Sequence, residues 1–215
     1  MLPERLHWLD EVSRRDHYYL TPADHCLYFG EFRSRAGGSG LNGLIFDFKR
    51  APSEIARSAQ PQRLRDLKER AIRLIAHHLR SQFGRAVVEG AITFVPIPGS
   101  KAPDHPDHCD RLLRTLRLAF AGLEADIRPL LTSSSSALAD HRRGARRTGY
   151  YRLLSGTRLD PTQLETPPRT IVALFDDVLT SGKHVRVASA RIRERLPRQT
   201  IVSVMVARRV CGSVS

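Results

Sequence analysis

One stretch near the C-terminus constrains the fold more than any other. TIVALFDD is an apolar run that ends in two acids, VLTSG follows as a short turn, KHVRVASARIRERL has helical periodicity, and TIVSVMVARRV is a second apolar run. Strand, turn, helix, strand is a βαβ unit, whose two strands lie parallel because the helix carries the chain back to the starting edge. Such strands are covered by helices on both faces, which predicts an α/β domain built on a mainly parallel sheet.

Other segments supply the remaining elements. From Pro61 to Arg80, Leu64, Leu67, Ala71, Ile72, Leu74, Ile75 and Leu79 recur at three- and four-residue steps, which predicts an amphipathic helix. AITFVPIP reads as a buried strand stopped by prolines and Gly99, CDRLLRTLRLAFAG as a second helix and ADIRPLLTSS as another strand. SSSSALADHRRGARRTGYY is polar and basic and reads as a mobile surface loop. Near the N-terminus, YYLTPADHCLYFGEF and LNGLIFDFKR flank the glycine-rich RSRAGGSG, and Leu44, Phe46 and Phe48 alternate with Ile45, Asp47 and Lys49. This predicts a β-hairpin, and with it a division into an N-terminal region 1–60 and an α/β domain 61–215.

At 215 residues, 41% hydrophobic and 27% charged, the chain has the composition of a globular protein with one substantial core. No run reaches the roughly 18 apolar residues that a membrane helix needs, and the start MLPERLHWLDEVSRRD has no apolar signal core, so a cytoplasmic protein without a membrane partner is expected. Cys26, Cys109 and Cys211 show no CxxC spacing and are expected as reduced thiols. The net charge of +13 suits a polyanionic partner or substrate, for which nucleic acid and a highly phosphorylated sugar qualify equally; a basic surface with no partner is the third reading.

The chemistry concentrates after the acidic strand, because ligands of open parallel sheets bind beyond the carboxyl ends of the strands. Asp176 and Asp177 stand there, and Thr180, Ser181, Gly182, Lys183 and His184 follow. Two hydroxyls, a glycine that admits close approach and the N–H groups of a helix start make a phosphate cradle. A nucleotide P-loop needs glycine five residues before Gly182 and a hydroxyl after Lys183, where this chain has Asp177 and His184. A Walker-type NTPase is therefore not expected.

IVALFDDVLTSGKH resembles the PRPP-binding motif of type I phosphoribosyltransferases. The resemblance implies that fold, with a small N-terminal hood, and binding of PRPP or another ribose 5-phosphate ligand together with magnesium. It implies that Asp176 and Asp177 meet the ribose hydroxyls, and magnesium indirectly through the ligand, while Thr180 to His184 hold the 5-phosphate. His184 departs from the threonine or serine usual in the family, and an imidazole donates to phosphate with a different geometry. FVPIPGSKAPDHPDHCDR resembles the pyrophosphate loop of the competence-associated branch, which implies that Gly99, Ser100 and Lys101 face the pyrophosphate.

HRRGARR falls where the family has a flexible loop that closes over the substrate. Arg142, Arg143, Arg146 and Arg147 suit leaving pyrophosphate, a nucleic-acid backbone or plain solvent alike. Tyr18, Tyr19, Tyr28, Phe29 and Phe32 fit a base-stacking hood, a surface for single-stranded nucleic acid, or core. His105, Asp107, His108, Cys109 and Asp110 lie too close in sequence to wrap one zinc ion, and Asp107 is expected to cap the start of the following helix.

Two functions are thus expected as alternatives. One is a phosphoribosyltransferase that displaces pyrophosphate from C1 of PRPP. The other is an effector or regulatory subunit on the same scaffold, bound to nucleic acid and protein partners; the whole chain resembles accessory proteins of bacterial retron anti-phage defence systems. The acceptor and the oligomeric state are not legible.

Overall fold

The computed structural model describes residues 5–33, 40–134 and 149–210. In chain order these form β1 (His7–Trp8), α1 (Glu11–Arg14), β2 (His25–Phe32), α2 (Gly40–Lys49), α3 (Pro52–Ala56), α4 (Pro61–Val88), β3 (Ile92–Pro96), α5 (Arg111–Ala119), β4 (Asp126–Ile127), β5 (Leu131–Ser133), α6 (Tyr150–Gly156), β6 (Thr157–Leu159), a 3₁₀ turn (Pro161–Leu164), β7 (Ile171–Leu179), α7 (Lys183–Arg193) and β8 (Thr200–Arg209). None of the helices is long and apolar enough to cross a membrane among the described residues.

Six strands make the central sheet in the order β1-β2-β8-β7-β3-β4. Every pair is parallel except the short edge pair β1–β2. The expected βαβ unit is present, with β7 and β8 adjacent and in register from Ile171 opposite Thr200 to Leu179 opposite Arg208. Because β3, β7 and β8 are covered on both faces, their side chains feed two cores. Phe94, Ala173, Phe175, Val204 and Val206 pack with α2, α4 and α5 on one side. Val95, Val172, Leu174, Ile201 and Met205 pack with α7, Leu9 and Leu20 on the other. This is an α/β architecture with a mostly parallel mixed sheet flanked by helices.

The N-terminal hairpin is not formed. Residues 40–49 are helical, and the segment 25–32 pairs parallel with β8 inside the main sheet. The apolar residues of 41–48 satisfy two periods at once. Leu44, Phe46 and Phe48 alternate as in a strand, but Leu41, Leu44, Ile45 and Phe48 lie at i, i+3, i+4 and i+7, and these are the residues that face the core while Phe46 is 44% exposed. Packing against α4 and β2 selects the helical period.

Three further expectations change. ADIRPLLTSS is not one strand: β4 pairs with β3, whereas β5 pairs antiparallel with β6 in a separate two-stranded sheet. Pro129 stands between them and has no N–H to continue a ladder. The Pro61 helix continues to Val88, and Tyr150 and Tyr151, expected at the end of a loop, start α6. The rest of that loop, Ser135 to Thr148, lies outside the described residues.

Candidate functional site

The chain leaves β3 through α5 toward β4 at one edge and leaves β7 through α7 toward β8 in the opposite direction. Neighbouring parallel strands whose connections diverge open a crevice at their carboxyl ends, which is where α/β proteins hold ligands. A cleft of about 290 Å³ occupies that position, lined by Gly99, Ser100 and Lys101 after β3 and by Asp176, Asp177, Thr180, Gly182 and His184 around the end of β7. The two segments singled out for pyrophosphate and for ribose phosphate therefore meet in one cavity.

Asp177 is the most constrained group in it. Its side chain is 5% exposed and takes ion pairs from two helices, Lys49 Nζ at 2.8 Å from α2 and Arg111 Nη2 from α5. Its Oδ1 also accepts the N–H of Val178 at 2.7 Å. Arg111 is held by its own packing, with its guanidinium 5.6 Å over the Phe48 ring. Burial alone would raise the Asp177 carboxyl, but the two cations outweigh it and hold the group at about 2. Asp176 precedes it on the strand, so its side chain starts from the opposite pleat face. It accepts the N–H of Asp177 at 2.8 Å. Burial and the adjacent Asp177 charge raise it to about 7, against the pull of Lys49 and Arg111. The two neighbours are thus pushed apart: Asp177 is held ionised by its two cations, whereas burial and the Asp177 charge favour the protonated form of Asp176.

The turn 180–182 is shaped from behind by the N-terminal segment. His17, fully buried, donates from Nδ1 to the carbonyl of Thr180, which fixes the ring as the Nδ1–H tautomer. Tyr19 N–H donates to the carbonyl of Ser181 at 3.1 Å. With both carbonyls tied back, the peptide N–H groups that follow are presented at the start of α7, where a helix leaves its first N–H groups without intrahelical acceptors. Gly182 permits the change of direction: its φ is +80°, and a Cβ there would come within 2.5 Å of Leu20 Cγ. Glycine meets both demands at once, left-handed backbone and contact with Leu20.

His184 lines the cleft on the first turn of α7. Desolvation by the wall, joined by the Lys183 and Lys49 charges, lowers its imidazole below the ordinary value despite the Asp177 charge. It thus offers an N–H donor rather than a second cation at neutral pH. Arg142, Arg143, Arg146 and Arg147 lie outside the described residues. Asp107 does cap a helix, but not the one that follows it. Its Oδ1 accepts the N–H of Ser53 at 2.9 Å, at the start of α3, whereas Asp110 is the N-cap of α5. The Ser53 hydroxyl and N–H hold the Asp107 carboxylate below the usual range.

Several cleft residues were not expected from sequence: Lys49, Arg50, Cys109 and Arg111. Lys49 and Arg50 were hidden by the strand reading of α2, and a helical reading of 41–48 would have placed them at its C-terminal end, facing the sheet. Arg111 carried a usable signal as the first residue of the helix after the β3 loop, on the ligand side of the sheet. Lys68, buried on α4, supports this wall by donating to the carbonyl of Arg50 at 2.7 Å and to Cys109 Sγ at 3.1 Å.

Comparison with protein families, curated proteins and solved structures finds no match to this chain.

Proposed function

We propose that the cleft binds PRPP or a related ribose 5-phosphate ligand, and that the chain acts on it as a phosphoribosyltransferase-like protein. The observation that carries the reading is the convergence of Gly99, Ser100 and Lys101 with Asp176, Asp177, Thr180, Gly182 and His184 in one cavity at the sheet's switch point. In this arrangement the turn 180–184 receives the 5-phosphate, Asp176 receives ribose hydroxyls, and Lys101, with Lys49 and Arg111 behind it, faces the pyrophosphate. Asp177 takes a different part from the one its position in the motif implies, since both of its oxygens already accept hydrogen bonds. It anchors the two cations, and Asp176 is the carboxylate that meets the sugar.

Magnesium fits this cleft as a companion of the ligand. No group of three or more His, Cys, Asp and Glu side chains converges among the described residues, and Asp177 is engaged by Lys49 and Arg111, so Asp176 is the carboxylate left to face the ion and ligand phosphates would supply most of the oxygens. When bound, the ion neutralises phosphate charge. In the reaction a nucleophile attacks C1 of PRPP, the bond from C1 to the pyrophosphate oxygen breaks, and pyrophosphate departs with the electron pair. The chain's own contribution is to hold ribose and pyrophosphate in line and to place cations where negative charge grows. An assay of pyrophosphate release with a panel of nucleophiles tests this: release by wild type that disappears in Asp176→Asn supports the enzyme reading, and release unchanged in the variant contradicts it.

A second reading is favoured by the engagement of Asp177 and by the net charge of +13. Here the same cleft senses its ligand without turnover, in an effector that works with nucleic acid, as in a retron defence complex. Ligand binding without pyrophosphate release across the panel selects it.

A further inference from the structure

We infer that four tyrosines beside the phosphate turn form a stacking surface for single-stranded nucleic acid, whose backbone runs from that surface into the turn. The inference rests on reading residues 180–184 as a phosphate site. Tyr18 and Tyr19 meet at 4.8 Å between ring centroids with their planes tilted by 37°, Tyr19 stacks on Tyr150 at 6.0 Å, and Tyr150 meets Tyr151 edge-on at 5.5 Å. Residues far apart in the chain thus make one continuous row of rings. The two ends are open to solvent, Tyr18 at 63% and Tyr151 at 82% exposure. Tyr19 and Tyr150 are part-buried between them, so the row ends in two aromatic faces open to a partner.

The row is joined to the cleft. Tyr19 donates its backbone N–H to Ser181, inside the turn, and the ammonium of Lys183, the first residue of α7, stands 6.0 Å over its ring. A cation beside an aromatic cluster next to a phosphate-binding helix start suits a nucleotide, with its base on the exposed Tyr18 ring and its phosphate on the N–H groups and the ammonium. One ring would suit a mononucleotide. Two open rings at the ends of one row, on a chain of net charge +13, suit two bases of an unpaired strand, whose every base has a face to stack and whose phosphates the positive field attracts. In a duplex the bases are stacked on each other and have no free face, so a single strand is the occupant.

The test is fluorescence anisotropy of the full chain with 3′-fluorescein-labelled 12-mers of one sequence as DNA, RNA and duplex, each with a 5′-phosphate. Tyr18→Ala and Tyr151→Ala remove exposed rings, and Tyr18→Phe and Tyr151→Phe keep them. The expected result is single-strand binding in the DNA or the RNA arm that weakens about tenfold in each alanine variant and is restored in each phenylalanine variant. The salt slope of the alanine variants stays at the wild-type value, since no phosphate contact is lost. Titration of the same variants with PRPP is expected to match wild type. Single-strand affinity unchanged in both alanine variants overturns the inference, as does a preference for duplex. Tyrosine-dependent strand binding with no response to PRPP or ribose 5-phosphate would keep the stacking surface and refute the ribose-phosphate reading of the cleft.

Discussion

Replacing Arg111 with methionine removes one of the two cations that neutralise Asp177 while keeping a similar apolar stem over Phe48. The Asp177 side chain is 5% exposed and that of Arg111 is 15% exposed, so the carboxylate cannot be rehydrated without disturbing the wall between α5 and β7. Breaking a buried pair from one side costs about 3–5 kcal/mol. Here Lys49 at 2.8 Å and the Val178 N–H at 2.7 Å remain, which places the loss near the low end, about 3 kcal/mol. The pH dependence has a definite sign. Asp177 titrates at about 2 in the fold against an ordinary 3.8, so its contribution to stability is present above 3.8 and is lost as pH falls through 2. That shift corresponds to about 2 kcal/mol, most of which Arg111→Met should abolish. Urea denaturation at pH 7 measures the first effect, and a series from pH 5 to pH 2 measures the second. The double variant Arg111→Met/Asp177→Asn should recover about 2 kcal/mol relative to the sum of the single losses, because the charge left unpaired by the first change is removed by the second. A loss under about 1 kcal/mol in Arg111→Met, or additive losses in the double variant, would refute the account of the ion-paired wall.

Gly182→Ala should cost about 2–4 kcal/mol from left-handed backbone and collision with Leu20, and should abolish binding of ribose 5-phosphate; thermal unfolding together with titration checks both. Asp176 holds its proton in the fold up to about 7 but releases it near 3.8 when unfolded, so its contribution to stability declines as pH rises across that window. Asp176→Asn should therefore match wild type at pH 4 and exceed its stability at pH 8, by an amount on the order of 4 kcal/mol, in paired urea melts; a variant less stable than wild type at pH 8 would contradict the raised carboxyl. Phe48→Ala should cost about 3–4 kcal/mol and Phe46→Ala less than about 1, since the first side chain is fully buried and the second 44% exposed; equal losses in calorimetric melts would favour the strand period over the helix.

The parts of the fold legible in the sequence are those where one period acts alone. β7 and β8 are continuous apolar runs because both faces are buried, and the Thr-Ser-Gly turn marks where the chain leaves the sheet, two residues beyond the acids. The proline-stopped run at β3 is readable for the same reason, so both walls of the cleft were visible before the structure joined them. Residues 41–48 were not legible because their apolar positions fit strand and helix alike, and only the packing of Ile45 and Phe48 against the sheet decides between the two. The partners of the site were hidden for a different reason. Nothing local marks Arg111 and Lys49 as the cations of Asp177, Asp107 as the cap of α3, or His17 and Leu20 as the backing of the 180–182 turn. Each of these is a contact between segments remote in sequence, created by the order of strands in the sheet.

The central claim is that Asp176 and the turn 180–184 bind a ribose 5-phosphate ligand, and isothermal titration of nucleic-acid-free protein with PRPP and magnesium tests it most directly. The account predicts saturable one-site binding by wild type that Asp176→Asn weakens and Gly182→Ala abolishes. Absence of binding by folded wild-type protein, or binding that both variants retain in full, would contradict it.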